Sequence, residues 1–82
     1  MTKPSHVQIL DELTAILRDV FDDDALVATP DMCAADVEGW DSMGNVRLFL
    51  AVEQTFGVRF RAGEISDIPN VGALADAILA KA

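Results

Sequence analysis

The chain has no tyrosine, and its aromatic side chains are only Phe21, Trp40, Phe49, Phe56 and Phe60. Its core must therefore be mainly aliphatic. A single cysteine, Cys33, excludes an intramolecular disulfide. Cations are scarce as well: six Lys and Arg stand against fourteen Asp and Glu, a formal net charge of −8. That balance excludes nucleic acid as a partner, because phosphates need cationic contacts. It also disfavours an anionic membrane surface. It favours basic partner surfaces, with charge steering the encounter, and it keeps a small protein soluble. No apolar run reaches the length of a membrane span and no apolar leader is present, so the expectation is a cytoplasmic protein without stable membrane insertion. Internal repeats and low-complexity segments are also missing.

What is there is a high apolar content, 51% of 82 residues. A chain of this length supports one domain, residues 1–82, and buries only about 60% of its unfolded surface. Neither metal nor disulfide is needed for it to fold. Ile9, Leu10, Leu13, Ile16, Leu17 and Val20 recur at three- and four-residue spacing, which predicts an amphipathic helix over residues 5–21. Ser5, preceded by Pro4, is its expected N-cap. Three carboxylates, Asp22 to Asp24, oppose the dipole at the helix end and stop it. As a divalent-ion site they are weak, since their spacing does not match a calcium loop.

Residues 22–41 show no sustained period. Leu26, Val27 and Val37 are the expected anchors, Thr29-Pro30-Asp31 reads as a turn, and a short helical turn is predicted near residues 32–36. So long a connection suits a crossover between two roughly parallel helices. The helical signal returns over residues 42–56, with Val46, Phe49, Leu50, Val52 and Phe56 expected inward and Gly57 ending the helix. Val58-Arg59-Phe60 then forms an extended link. One helical turn is predicted at 63–67, and Pro69 breaks it. Asn70 caps a last helix whose Val71, Leu74, Ala75, Ile78 and Leu79 face inward. The expected fold class is all-α, with three main helices, one short helix and a long first loop.

Ser42 is the residue that matters most. It stands where a turn becomes an apolar helix, beside free backbone N–H groups and the positive end of the dipole. Such a corner suits a phosphate diester. Asp41 and Ser42 are both favoured N-cap residues, and a capping role is compatible with an attachment role. Gly44, in the first turn, costs roughly 1 kcal/mol relative to alanine. It is open to two readings: room for a bound arm or a partner backbone, or a tolerated surface glycine. Met43 and Leu50, one repeat apart with Arg47 between them, form a candidate mixed apolar and cationic docking face. An apolar pair is as often core, and Arg47 can equally pair with a nearby acid. Trp40 is expected to pin the loop to the helix. His6 is expected on the surface, and Cys33 is more often a small buried hydrophobe than a nucleophile. Arg59 and Arg61 either bind an acidic patch or screen Glu64 and Asp67. No nucleophile–base pair or metal cluster can be assembled, so no catalytic residue is assigned and an independent enzyme is disfavoured.

The tripeptide Asp41-Ser42-Met43, opening a helix with Phe56 at its far end in an acidic chain of this length, resembles the acyl carrier protein family. The order of elements matches over nearly the whole chain. The resemblance implies a four-helix bundle, able in this family to shelter an acyl chain between its helices. It also implies 4′-phosphopantetheine, transferred from coenzyme A to Ser42 by a phosphopantetheinyl transferase. Asp41 would support attachment by helping to hold Mg²⁺ and coenzyme A phosphates in the transferase complex. The arm's thiol would carry an acyl or aminoacyl group between loading and transferring enzymes, with a monomer as the default state. Fatty-acid carriers usually place acids at the second and fifth positions after the serine; here these are Gly44 and Arg47. Asp-Ser-Met-Gly with the later Phe56-Gly57-Val58 is also similar to D-alanyl carrier proteins, a likeness that fades past Phe60. The resemblance therefore points to a specialised carrier in lipid or related biosynthesis with dedicated partners. The alternatives are an aminoacyl carrier, or an unmodified interaction module on the same fold.

Overall fold

Ser5 begins the first helix as the spacing predicts. Its hydroxyl accepts a hydrogen bond from the Gln8 N–H (3.2 Å), and the Gln8 side chain accepts one back from the Ser5 N–H (2.8 Å). This reciprocal pair satisfies two donors that the first turn leaves free. The computed structural model describes residues 5–81; Pro4 lies outside the described residues. Helix α1 spans His6–Val20, α2 Ser42–Phe56, α3 Ala62–Ser66 and α4 Val71–Lys81, with one 3₁₀ turn at Ala34–Asp36. No strand occurs among the described residues.

α1 ends as its sequence requires, through a backbone reversal. Asp22 adopts φ 50°, the left-handed region that Asp tolerates better than most residues. The Asp23 N–H then reaches back to the Arg18 carbonyl (3.1 Å). Asp22, Asp23 and Asp24 are all exposed. α2 ends at Gly57, which takes φ 67° and donates to the Glu53 carbonyl (2.9 Å).

α1 lies against both α2 and α4. The core at that junction is aliphatic: Ile9, Leu13, Leu17, Leu48, Val52, Val71, Leu74 and Ile78 are almost fully removed from solvent. Each such side chain contributes about 1.5–3 kcal/mol through burial. Phe49 adds an aromatic edge, meeting the Phe60 ring at 5.2 Å in a T-shaped contact.

Two parts of the expected core are different. On α2, Val46 and Leu50 face solvent (56% and 53% exposed), while Leu48 is fully buried. The stretch Val46 to Val52 is apolar nearly all round, so its period is ambiguous. Gly44 sets the phase, because Gly44, Leu48 and Val52 follow one another at four-residue steps on the buried side. In the first loop, Val27 is exposed and Ala28 is buried in its place. The Thr14 hydroxyl accepts from the Ala28 N–H (2.9 Å) and donates to the Leu10 carbonyl (3.0 Å), and the Arg18 Nε donates to the Leu26 carbonyl (2.7 Å). These bonds draw Ala28 onto α1 and turn Val27 out.

The loop is tied to α4 as well. The Val71 and Gly72 N–H groups donate to the Met32 and Pro30 carbonyls, both at 2.8 Å. Farther along, the Glu53 carboxylate accepts from the Phe60 N–H (2.8 Å) and fixes the link after α2. Lys81 closes the bundle, pairing with Glu64 (2.8 Å) and standing 5.1 Å from the centre of the Phe60 ring. Glu64 therefore takes its ion-pair partner from α4, while Arg61 adds its N–H (3.0 Å) and a weaker charge attraction, the screening expected of it. His6, on the surface, pairs with Asp76 (3.0 Å) and joins the start of α1 to α4.

Candidate functional site

The start of α2 is built by its three preceding residues. Gly39 takes φ 89°, a conformation that strongly favours glycine, and turns the chain toward the helix. Trp40 stacks on Phe21 with ring centres 5.8 Å apart, and its Nε1 donates to the Asn45 side-chain oxygen (2.9 Å). The indole thus joins the end of α1 to the first turn of α2, the pinning role expected of it. Asp41 is the N-cap. Its carboxylate accepts from the Gly44 N–H (2.8 Å), and its carbonyl accepts from the Asn45 N–H (2.8 Å).

Gly44 has a different role from either one its sequence suggested. It is buried, and a Cβ there would collide with the Gly39 carbonyl oxygen and come within 2.8 Å of Phe21 Cε1. The absent side chain lets the chain's own loop and Phe21 close over the first turn. Gly44 therefore offers no surface to an arm or a partner.

Ser42 is the first residue of α2 and is exposed. Asp41 occupies the Gly44 donor, whereas the Ser42 and Met43 N–H groups have no protein acceptor among the described residues. Two free donors and the dipole converge on the corner that carries the Ser42 hydroxyl. Beside it opens a cavity of about 400 Å³, walled by Trp40, Asn45, Ile65, Ile68 and Pro69. The hydroxyl can accept a phosphoryl group, the free amides can meet its oxygens, and the cavity offers an apolar wall to the organic chain beyond the phosphate. These residues fit a phosphate-linked, partly apolar arm.

Of the other residues singled out from the sequence, Met43, Arg47 and Leu50 are exposed on one side of α2 and reach the same surface. Val46 lies beside them; the expectation of an inward Val46 had hidden it. Cys33 is partly buried in the first loop, its thiol 3.4 Å from an Asp36 carboxylate oxygen. No group of three or more His, Cys, Asp or Glu among the described residues could hold a metal ion. No helix among them is long and apolar enough to cross a membrane.

A family model described as "phosphopantetheine attachment site" matches residues 11–78. The chain belongs to the phosphopantetheine-attachment carrier family. A solution NMR structure of holo acyl carrier protein from Geobacter metallireducens is similar at 41% identity, with a TM-score of 0.84 over 89% of this chain and 84% of that one. No curated protein matches the chain. The carrier is accordingly an acyl-carrier-like four-helix protein and not an enzyme. Its cofactor is covalently attached 4′-phosphopantetheine. Proteins of this kind work with phosphopantetheinyl transferases and with biosynthetic enzymes.

Proposed function

We propose that the carrier, as a single unit, holds an acyl intermediate as a thioester on phosphopantetheine linked to Ser42, and presents it to dedicated biosynthetic enzymes. The observation that carries this reading is the exposed Ser42 hydroxyl at a helix mouth whose first two amides lack acceptors. In the loading step the Ser42 oxygen attacks the phosphorus that bears pantetheine in coenzyme A. The new P–O bond forms as the bond to adenosine 3′,5′-bisphosphate breaks, and the hydroxyl proton passes to a base of the transferase. Asp41 holds the first turn in register through the Gly44 N–H and brings a carboxylate to the rim of the cavity that Ser42 lines. The bound arm supplies a terminal thiol for the cargo. Tethering then raises the cargo's effective concentration at each partner site to about the millimolar range.

The acyl reading is favoured by similarity to a protein described as a holo acyl carrier protein. Gly44 and Arg47, in place of the usual acids, favour dedicated partners over general fatty-acid enzymes. Mass spectrometry tests the proposal directly. Incubation with coenzyme A and a broad-specificity transferase is expected to add one phosphopantetheine, and Ser42→Ala to add none. Failure to load with several transferases would point to an unmodified interaction module. A trapped thioester bearing an amino acid would replace acyl cargo with aminoacyl cargo.

A further inference from the structure

The outer face of α2 differs from the rest of this acidic molecule. Met43, Val46 and Leu50 are 73%, 56% and 53% exposed, and they account for three of the five large apolar side chains that stand in solvent among the described residues. Their spacing of three and four residues places them on one side of the helix, beginning next to Ser42. Past Leu50 the surface dips into a concavity lined by Leu50, Glu53, Gln54, Gly57, Val58 and Arg59. Arg47 and Arg59, both exposed, border this apolar track. Neither has an ion-pair partner among the described residues. Glu53, the nearest carboxylate of α2, is engaged by the Phe60 N–H. Most of the acids lie on α1 and the first loop.

We infer that this face docks partner enzymes through an apolar patch whose rim is acidic, with Arg47 and Arg59 opposite the partner's carboxylates. The inference rests on the carrier reading and adds the sign of the partner's charge. Net charge governs long-range attraction, but screening over about 8 Å leaves local charges to decide the docked state. An enzyme acting at Ser42 works next to this face, because Met43 and Val46 follow Ser42 one and four residues along α2. A 15-residue helix is only about 22 Å long. Its single exposed face forms a small, transient interface, as repeated docking and release require.

A charge-swap experiment tests the inference. The probe is a phosphopantetheinyl transferase with a basic carrier-facing surface, used alongside a variant in which those basic residues are glutamate. Loading rates are measured for the wild type and for the Arg47→Glu/Arg59→Glu double variant. The double reversal should lower kcat/KM roughly tenfold with the acidic-surfaced transferase and raise it by a similar factor with the basic one, mainly through KM. Leu50→Asp should slow loading by both while leaving Tm unchanged, since Leu50 is not core. Equal rates for wild type and double variant, or changes of opposite sign, would overturn the inference. The Ser42-dependent mass gain at long incubation would then still stand and keep the carrier reading intact. Absence of that gain would remove both. Sedimentation as a dimer that Leu50→Asp dissociates would overturn it in favour of a second copy as occupant.

Discussion

Helices α2 and α4 begin alike and end up with opposite uses for their first turns. Each is capped by an Asx side chain that accepts from the third helical N–H at 2.8 Å, Asp41 from Gly44 and Asn70 from Ala73. Each has a glycine in its first turn against loop backbone, Gly44 under the Gly39 carbonyl and Gly72 under Pro30. At α4 the loop fills the remaining donors, with Pro30 and Met32 carbonyls on Gly72 and Val71. At α2 the loop closes over Gly44 but leaves Ser42 and Met43 open. One N-terminus is therefore sealed and serves stability, and the other keeps two donors free at its mouth.

The glycines offer the strongest way to break this comparison. A Cβ at Gly72 would come 2.7 Å from the Pro30 oxygen and 3.2 Å from its Cα, and one at Gly44 would meet backbone still more closely. Backbone cannot give way as a flexible side chain can. Gly72→Ala and Gly44→Ala are each expected to destabilise by about 1–3 kcal/mol in denaturant titration, despite roughly 1 kcal/mol of helix propensity regained. Only Gly44→Ala should also slow loading of Ser42, because it displaces the turn that aims the hydroxyl. Loss of loading in both variants would mean that the two N-termini are coupled.

Cap removal sharpens the comparison with a smaller effect. Asn70→Ala and Asp41→Ala should each cost about 1 kcal/mol. Asn70→Ala should leave the loading rate intact, and Asp41→Ala should reduce it beyond any change in Tm. The smallest effect is expected at Glu64, on the short helix beside the open N-terminus. A hydrogen bond from Lys81 and then one from the Arg61 N–H hold its carboxyl below the usual range. A folded pKa below the unfolded one stabilises at pH above the unfolded value, and that stabilisation is lost as pH falls through the folded value. Glu64→Gln should therefore lower Tm slightly near neutrality, and the difference should vanish in acid.

Much of this was legible in the sequence because local chemistry decided it. Ser5, Gly57 and Asn70 mark helix limits through capping, and the structure places α2 at the expected residues. The exposed Ser42 also accords with its place before an apolar run. Features set by contacts between distant residues were not legible. The apolar run around Val46 does not reveal that Leu48 is the inward residue, because Gly44 sets the phase only through its close approach to Phe21 and the Gly39 carbonyl. Ala28 replaces Val27 as an anchor only because Thr14 captures its N–H. Likewise Glu64 finds Lys81, and His6 finds Asp76, across gaps that periodicity does not record.

Trp40 is the sole indole of the chain, and it forms one wall of the cavity beside Ser42. Its ultraviolet emission is consequently a built-in optical gauge of that wall. Cargo that enters the cavity should displace water from the ring and move the emission maximum without any dye. Occupancy of that wall can thus be followed through the protein's own light.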